Sequence, residues 1–249
     1  MKNLSIGIFL IICILKASNI QAQVNIEQYR EKTSMGAHKN QTISVSTSIA
    51  KNKTNYYSIG IKYIRNFEIT PSYQGFFITK VHYGERNNTE YINDSFYHLR
   101  FINNNSFYGI TPELYGQYEQ NKFSATQYRY VAGMGGRYSI IEKIISGTSI
   151  LYESYEDEDN VSNQQVLRLS QYLTIDYDFN SNNTLSSTVY LQPAIENFSN
   201  IRTTFEIIYV SQLTDTIGYT STFSGNYFSE NTVYDYIELY FESGLTFKI

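Results

Sequence analysis

Few residues in this chain could carry out chemistry. It has three histidines, His38, His82 and His98, and one cysteine, Cys13. Three scattered histidines do not make a multi-histidine metal site, and the sequence contains no nucleophile elbow, phosphate-binding loop or zinc signature. Cys13 lies in an N-terminal apolar run that we expect to be removed, which excludes disulfides and a cysteine nucleophile from the mature chain. We therefore predict no catalytic residue, no metal and no cofactor.

One enzyme class is retained as an alternative. Twelve-stranded membrane hydrolases exist, and a Ser-His-Asn enzyme acting on lipid would place its triad on the outer wall near the lipid interface. Here His82 and His98 fall on the face that we predict to be interior, and neither has a Ser two positions further on. An interior His bonded to Asp or Glu is the preferred interpretation, and an outer-membrane lipid hydrolase stays the alternative.

Arginines, acids and one histidine form a polar set that alternates with apolar residues along the chain. Inside a closed sheet, bidentate Arg–carboxylate pairs would brace the wall across neighbouring strands. The same groups would alternatively line a water-filled path that selects small polar solutes by size and charge. The predicted lumen-facing network comprises His98, Arg100, Arg129, Arg137, Glu153, Arg168, Asp176, Arg202, Glu206, Glu238 and Glu242.

Composition limits the class of protein that can hold this set. The 249 residues include 25 Tyr, 15 Phe and no Trp, the charged fraction is 17%, and the formal net charge is -4. A disordered chain would carry more charge and fewer aromatic residues. A nucleic-acid-binding protein would need a basic excess. We therefore predict a folded protein that has no nucleic-acid partner.

The N-terminus has the layout of a secretory signal peptide. A short basic start is followed by an apolar run from residue 4 to residue 15, and small and polar residues lead to Ala22. The run is shorter than the ~20 apolar residues that a membrane-spanning helix needs. We predict a signal peptide over residues 1–22 and an exported domain over residues 23–249.

Apolar and polar residues alternate through residues 23–249, and clusters of polar residues interrupt the alternation. This pattern is typical of strands joined as hairpins. Twelve strands are predicted, at residues 42–49, 56–65, 75–85, 94–102, 113–120, 127–139, 143–156, 165–177, 183–192, 200–210, 216–227 and 234–249. This spacing suits membrane strands of ~9–11 residues joined by modest loops.

The two faces of each predicted strand differ in the same way. In the fourth strand, Tyr97, Leu99 and Phe101 oppose His98 and Arg100. Such alternation does not by itself tell whether the apolar face points inward or outward. A soluble periplasmic ligand-binding barrel that buries the apolar face is therefore kept as an alternative to an outer-membrane barrel that shows this face to lipid.

Three observations favour lipid. Aromatic residues cluster near strand ends, as an aromatic girdle requires, and five arginines share the opposite face: Arg100, Arg129, Arg137, Arg168 and Arg202. The last strand is apolar at every second position from 239 to 249 except Ser243, which matches the strand by which outer-membrane barrels are recognised for insertion. A lipid-facing Arg near the bilayer midplane would cost ~2–4 kcal/mol, and the apolar faces contain none. Because backbone amides in hydrocarbon must be paired internally, the sheet must close.

The prediction is an all-β, closed, antiparallel up-and-down transmembrane barrel in the outer membrane of a Gram-negative bacterium. An even number of strands places both termini on one side, which is the periplasm for an exported chain. The expected partners are outer-membrane lipid, the barrel-insertion machinery acting on the C-terminal strand, and small polar solutes.

Several short strings resemble one family over nearly the whole exported chain. In register they are residues 24–30, 98–101, 118–129, 133–138, 147–153, 192–202 and 235–245. Their order resembles the salt-induced outer-membrane protein family, a domain family of unknown function. The resemblance implies an outer-membrane barrel with a role in envelope integrity or osmotic adaptation, and it implies no substrate or activity.

Overall fold

The computed structural model describes residues 41–51, 55–123, 126–157, 163–229 and 236–248. The predicted signal peptide, His38 and the start of the predicted twelfth strand lie outside these ranges. Within them, no helix is long and apolar enough to cross a bilayer.

Alternating residues form twelve strands in chain order. Their bounds are β1 Gln41–Lys51, β2 Asn55–Thr70, β3 Tyr73–Arg86, β4 Thr89–Asn103, β5 Thr111–Asn121, β6 Thr126–Ile141, β7 Ile144–Asp157, β8 Gln164–Asn180, β9 Asn183–Pro193, β10 Ile201–Gln212, β11 Ile217–Ser229 and β12 Tyr236–Lys248. Each predicted segment coincides with one strand, and most strands extend a few residues further at one or both ends.

The sheet closes on itself. Each strand pairs antiparallel with its neighbour in the chain, and β12 pairs with β1 through Thr42–Val45 and Leu245–Lys248. The predicted closed, up-and-down, twelve-stranded barrel is therefore confirmed. Closure leaves no unpaired edge strand.

Tight turns, several of them rich in asparagine, connect the strands. Asn87 and Asn88 connect β3 to β4 with φ angles of 53° and 61°. Left-handed backbone at both central residues is typical of a two-residue hairpin turn, and Asn adopts it more readily than most residues. Connections after even strands are mostly tight, such as residues 142–143 and 181–182.

The barrel wall has an apolar outside and a polar inside. Exposed tyrosines on the outside stand near both rims of the barrel: Tyr57, Tyr83, Tyr130 and Tyr152 toward the connections that follow odd strands, and Tyr73, Tyr138 and Tyr177 toward the opposite rim. Exposed aliphatic side chains fill the band between them, as Ile59, Ile150 and Leu173 do. Arg100, Arg129, Arg168 and Arg202 lie on the other face, inside the barrel.

Candidate functional site

The carboxylate of Glu153 is fully buried inside the barrel (0% exposed). Three guanidinium groups from three different strands surround it. Arg129 Nε on β6 lies 2.5 Å from Glu153 Oε1, Arg202 Nη1 on β10 lies 2.9 Å from the same oxygen, and Arg168 Nε on β8 donates to Oε2. We call these four residues the Glu153 cluster. It lies toward the rim formed by the connections after odd strands, because each member is within about four residues of that end of its strand.

Neighbouring groups extend the Glu153 cluster. Arg129 Nη1 also donates to Glu119 Oε1 on β5 at 3.1 Å. The Arg202 guanidinium stands over the ring of Phe228, 4.4 Å from its centroid, which adds cation–π attraction. A buried charge is tolerated only when it is paired and hydrogen-bonded, and in this cluster cation and anion are buried together.

Arg168 also holds a connection in place. Its Nη1 donates to the backbone oxygens of Gln192 and Asn200 at 3.1 and 3.2 Å and to Asn200 Oδ1 at 2.9 Å. Ala194 adds an isolated bridge to Arg168. The β9–β10 connection is therefore held to β8 by backbone pairing and to the Glu153 cluster by the Arg168 side chain.

A second ion pair lies toward the opposite rim. Arg100 Nη1 on β4 donates to Glu113 Oε2 on β5 at 2.8 Å, and both side chains are buried. Arg137 Nε on β6 approaches the other oxygen of Glu113 at 3.8 Å. The Arg100 guanidinium also lies 4.9 Å from the ring centroid of Tyr115.

The third pair is more accessible. Lys80 Nζ on β3 donates to Glu242 Oε2 on β12 at 2.8 Å, and the two side chains remain 23% and 31% exposed. Ser46 Oγ donates to the other oxygen of Glu242. The interior is thus open to solvent beside β1, β3 and β12, and closed at the Glu153 cluster.

His98 is packed among aromatic rings. The centroids of Phe76, Phe96 and Tyr115 lie 5.8, 6.2 and 5.9 Å from its ring. Its Nδ1 lies 3.3 Å from Gln117 Oε1. The predicted Asp or Glu partner is therefore wrong for His98, because the side chain opposite it on β5 is an amide. For the other interior histidine, Nδ1 of His82 lies 3.5 Å from Asp94 Oδ2, as predicted.

Apolar residues also occupy the interior. Ile64, Phe76, Ile78, Phe96 and Ile102 form a buried cluster on β2, β3 and β4. These side chains fill one side of the barrel, so the lumen is polar only in part. The arrangement resembles that of small barrels, in which side chains fill the centre.

The predicted network divides into three groups. The structure brings Arg129, Glu153, Arg168 and Arg202 together, and it pairs Arg100 with a carboxylate that Arg137 also approaches. His98 and Glu206 are buried on the inward face, Asp176 is half-buried on it, and Glu242 binds Lys80 rather than an arginine. The side chain of Glu238 lies outside the described residues.

Sequence reasoning missed Glu113 and Glu119, the two β5 acids that bind arginines. Their signal was present, since both share one face of a strand with Gln117 and alternate with Leu114 and Tyr118. In the described part of the chain, no three His, Cys, Asp or Glu side chains come close enough to hold a metal ion.

A small cavity lies beside the Arg100–Glu113 ion pair. It measures about 20 Å³, and Arg100, Tyr115, Tyr172, Tyr190 and Gln192 are among the residues that line it. This volume accommodates one water molecule.

Comparison with known proteins returns other barrels. No protein-family model and no curated protein matches the chain. Among solved structures, the chain is similar to the NanC porin (16% identity, 84% of this chain and 100% of that chain, TM-score 0.49) and to the KdgM porin (9%, 83% and 98%, TM-score 0.47). It is also similar to the translocator domain of the autotransporter NalP from Neisseria meningitidis (7%, 90% and 93%, TM-score 0.47). At such identities the similarity concerns the barrel fold alone.

Proposed function

We propose that this chain is a non-enzymatic outer-membrane barrel of a Gram-negative bacterium whose lumen is held shut by the Glu153 cluster. Its outward face supports the membrane location, since exposed aliphatic side chains lie between two rims of tyrosine. Its termini then lie on the periplasmic side, and β12 is the strand offered to the insertion machinery. In this proposal the barrel is a structural component of the envelope, as its resemblance to the salt-induced family implies.

The single observation that carries the proposal is the position of Glu153. Its carboxylate receives Arg129 and Arg168 from the two adjacent strands and Arg202 from a strand further round the barrel. Ion pairs of this kind exclude water and are difficult to separate, because each partner would be left as a buried unpaired charge. The cluster is therefore suited to close the lumen.

Planar-bilayer conductance tests this function. We expect the wild-type barrel, refolded in detergent and inserted in a lipid bilayer, to give no discrete steps. Arg202→Ala removes the strut that crosses the lumen and should produce steps, whereas Arg65→Ala, on the outer register of β2, should stay silent. Regular, stable steps from the wild-type barrel would contradict the closed state.

A small-solute pore is the second candidate. The half-buried Lys80–Glu242 pair favours it, because solvent inside the barrel still reaches both charges. If the wild-type protein conducts, this candidate replaces the structural one, and Lys80→Met should then change its ion selectivity.

The two remaining alternatives, a soluble periplasmic barrel and a lipid hydrolase, predict different experimental results from the proposed function. A soluble periplasmic barrel would be recovered without detergent, whereas the proposed protein would require detergent for extraction. A lipid hydrolase would release fatty acid from phospholipid vesicles, and His82→Ala and His98→Ala would abolish that release. We expect that the protein requires detergent for extraction and that the wild-type protein releases no fatty acid.

A further inference from the structure

The connection between β4 and β5 differs from the others at its rim. Its residues 104–110 form a small hairpin in which Phe107 and Ile110 exchange backbone hydrogen bonds of 2.9 and 3.0 Å. Tyr108 and Gly109 form the tip, with φ angles of 50° and 77°. A bulky residue rarely adopts this left-handed backbone, so the conformation of Tyr108 at the tip is unusual.

This hairpin presents aromatic side chains to its surroundings. Tyr108 is 89% exposed and Phe107 is 71% exposed, and their rings meet edge to face at 4.4 Å between centroids. The other connections at this rim are short and carry polar residues, such as Glu142 and Lys143 between β6 and β7. An exposed aromatic pair of this kind marks a contact surface rather than a solvated turn.

The hairpin leans against the outside of the barrel. A side-chain carbon placed on Gly136, which is on the outward register of β6, would lie 2.5 Å from Ile110 Cγ2. Ile110 therefore covers the bare backbone of Gly136 on the outer wall. The hairpin is continuous with the face that we propose to meet lipid.

An apolar groove of about 820 Å³ begins beside this contact. One edge of the groove is formed by outward-facing residues that pair with one another in register from β4 to β8: Phe101, Leu114, Met134, Ile150 and Leu169. Pro112 and Thr148, two residues along their strands from Leu114 and Ile150, also line the groove, and their short side chains leave space beside the wall. A hydrocarbon chain fits a depression of this composition.

We infer that the β4–β5 hairpin is a membrane-interface anchor, which inserts Phe107 and Tyr108 at the headgroup level of the leaflet on the side of the termini, with a lipid acyl chain in the adjacent groove. This inference rests on the proposed membrane location. Residues 103–112 contain no charged residue, so the segment offers no ion pair to a protein partner and loses no charge solvation in lipid. Aromatic rings prefer the interface between headgroups and acyl chains.

Fluorescence quenching tests the anchor without background, because the chain contains no Trp. Phe107→Trp is refolded into dioleoylphosphatidylcholine vesicles and into vesicles of the dibrominated analogue, which quenches Trp in contact with acyl chains. Two further single-Trp variants serve as matched controls: Tyr138→Trp at the same rim of the outer wall, and Asn182→Trp in a polar turn at the same end. Circular dichroism verifies that all three are folded.

We expect Phe107→Trp to lose emission in brominated vesicles to the same extent as Tyr138→Trp, and to resist iodide added to the water. Asn182→Trp should show the opposite behaviour. If Phe107→Trp follows Asn182→Trp while Tyr138→Trp is quenched by lipid, the anchor is overturned and the membrane barrel stands. If Tyr138→Trp also escapes the brominated lipid, the membrane location fails, and the anchor fails with it.

Discussion

Arg202 Nη1 lies 2.9 Å from Glu153 Oε1, although two strands separate β10 from β7 in the barrel wall. The contact therefore crosses the interior rather than following the sheet. A neighbouring pair such as Arg100 and Glu113 braces two adjacent strands, whereas this one joins distant parts of the wall.

Replacing Glu153 by Gln should be strongly destabilising. The change leaves three buried guanidinium groups without their shared anion, and breaking a buried ion pair in this way costs about 3–5 kcal/mol. The free energy of unfolding in a urea titration, with the barrel refolded in phospholipid vesicles, measures the effect. Glu119→Gln is the control, because Glu119 pairs with one arginine, Arg129, rather than three and is 25% exposed. Equal losses for the two variants would contradict a central role for Glu153.

Gly147→Ala should destabilise the barrel because Tyr172 occupies the space that a methyl group would take. Register places Tyr172 directly opposite Gly147, and the aromatic ring covers the glycine. Forcing such a contact costs about 1–3 kcal/mol. Gly116→Ala is the matched control, since the nearest atom to its added carbon is 3.9 Å away. The same urea titration should show a loss for Gly147→Ala and little change for Gly116→Ala. A neutral Gly147→Ala would show that the tyrosine ring moves freely.

The apolar cluster inside the barrel predicts a difference between two adjacent phenylalanines. Phe76 is buried among Ile64, Ile78 and Phe96, whereas Phe77 follows it on the outward register. Phe76→Ala should cost about 3–5 kcal/mol, because a cavity remains in a packed interior. Phe77→Ala should cost less, because lipid refills the space outside the wall. Equal unfolding free energies would indicate that the cluster is hydrated.

Arginine scanning of the outer wall measures how deep each position lies in lipid. Ile207 stands near the middle of β10, and Ile201 begins the strand at the rim. Ile207→Arg should cost about 2–4 kcal/mol and Ile201→Arg about 0–1 kcal/mol in phospholipid vesicles. If both variants have the same midpoint of urea unfolding as the wild-type protein, this face of the barrel is not in hydrocarbon.

The strands were predictable because two local signals agree. Residues alternate between apolar and polar, and asparagine-rich clusters such as 87–90 and 180–183 mark the turns. The inward register of Arg100 and Arg129 follows from the same alternation. Neither inference needs knowledge of which strands are neighbours.

The partners of the buried charges were not predictable in the same way. Alternation assigns Arg202 to a face, but the contact with Glu153 depends on how far each strand is displaced against the next around the whole barrel. Alternation likewise places Glu113 and Glu119 on one face of β5, but it does not indicate that this face meets the arginines of β4 and β6.

The apolar cluster inside the lumen escaped prediction because β3 contains two adjacent phenylalanines. Where Phe76 and Phe77 follow one another, alternation does not indicate which ring is inside. Packing against Ile64 and Phe96 decides the matter, and those residues come from other strands.

Arg168 links the interior of the barrel to the β9–β10 connection. The guanidinium that secures Glu153 in the interior also secures the β9–β10 connection at the mouth of the barrel. A molecule that bound this connection and pulled it away from the barrel would have to break the hydrogen bonds between Arg168 and Asn200. Because the same guanidinium binds Glu153, a force on the connection would reach the buried interior through the Arg168 side chain.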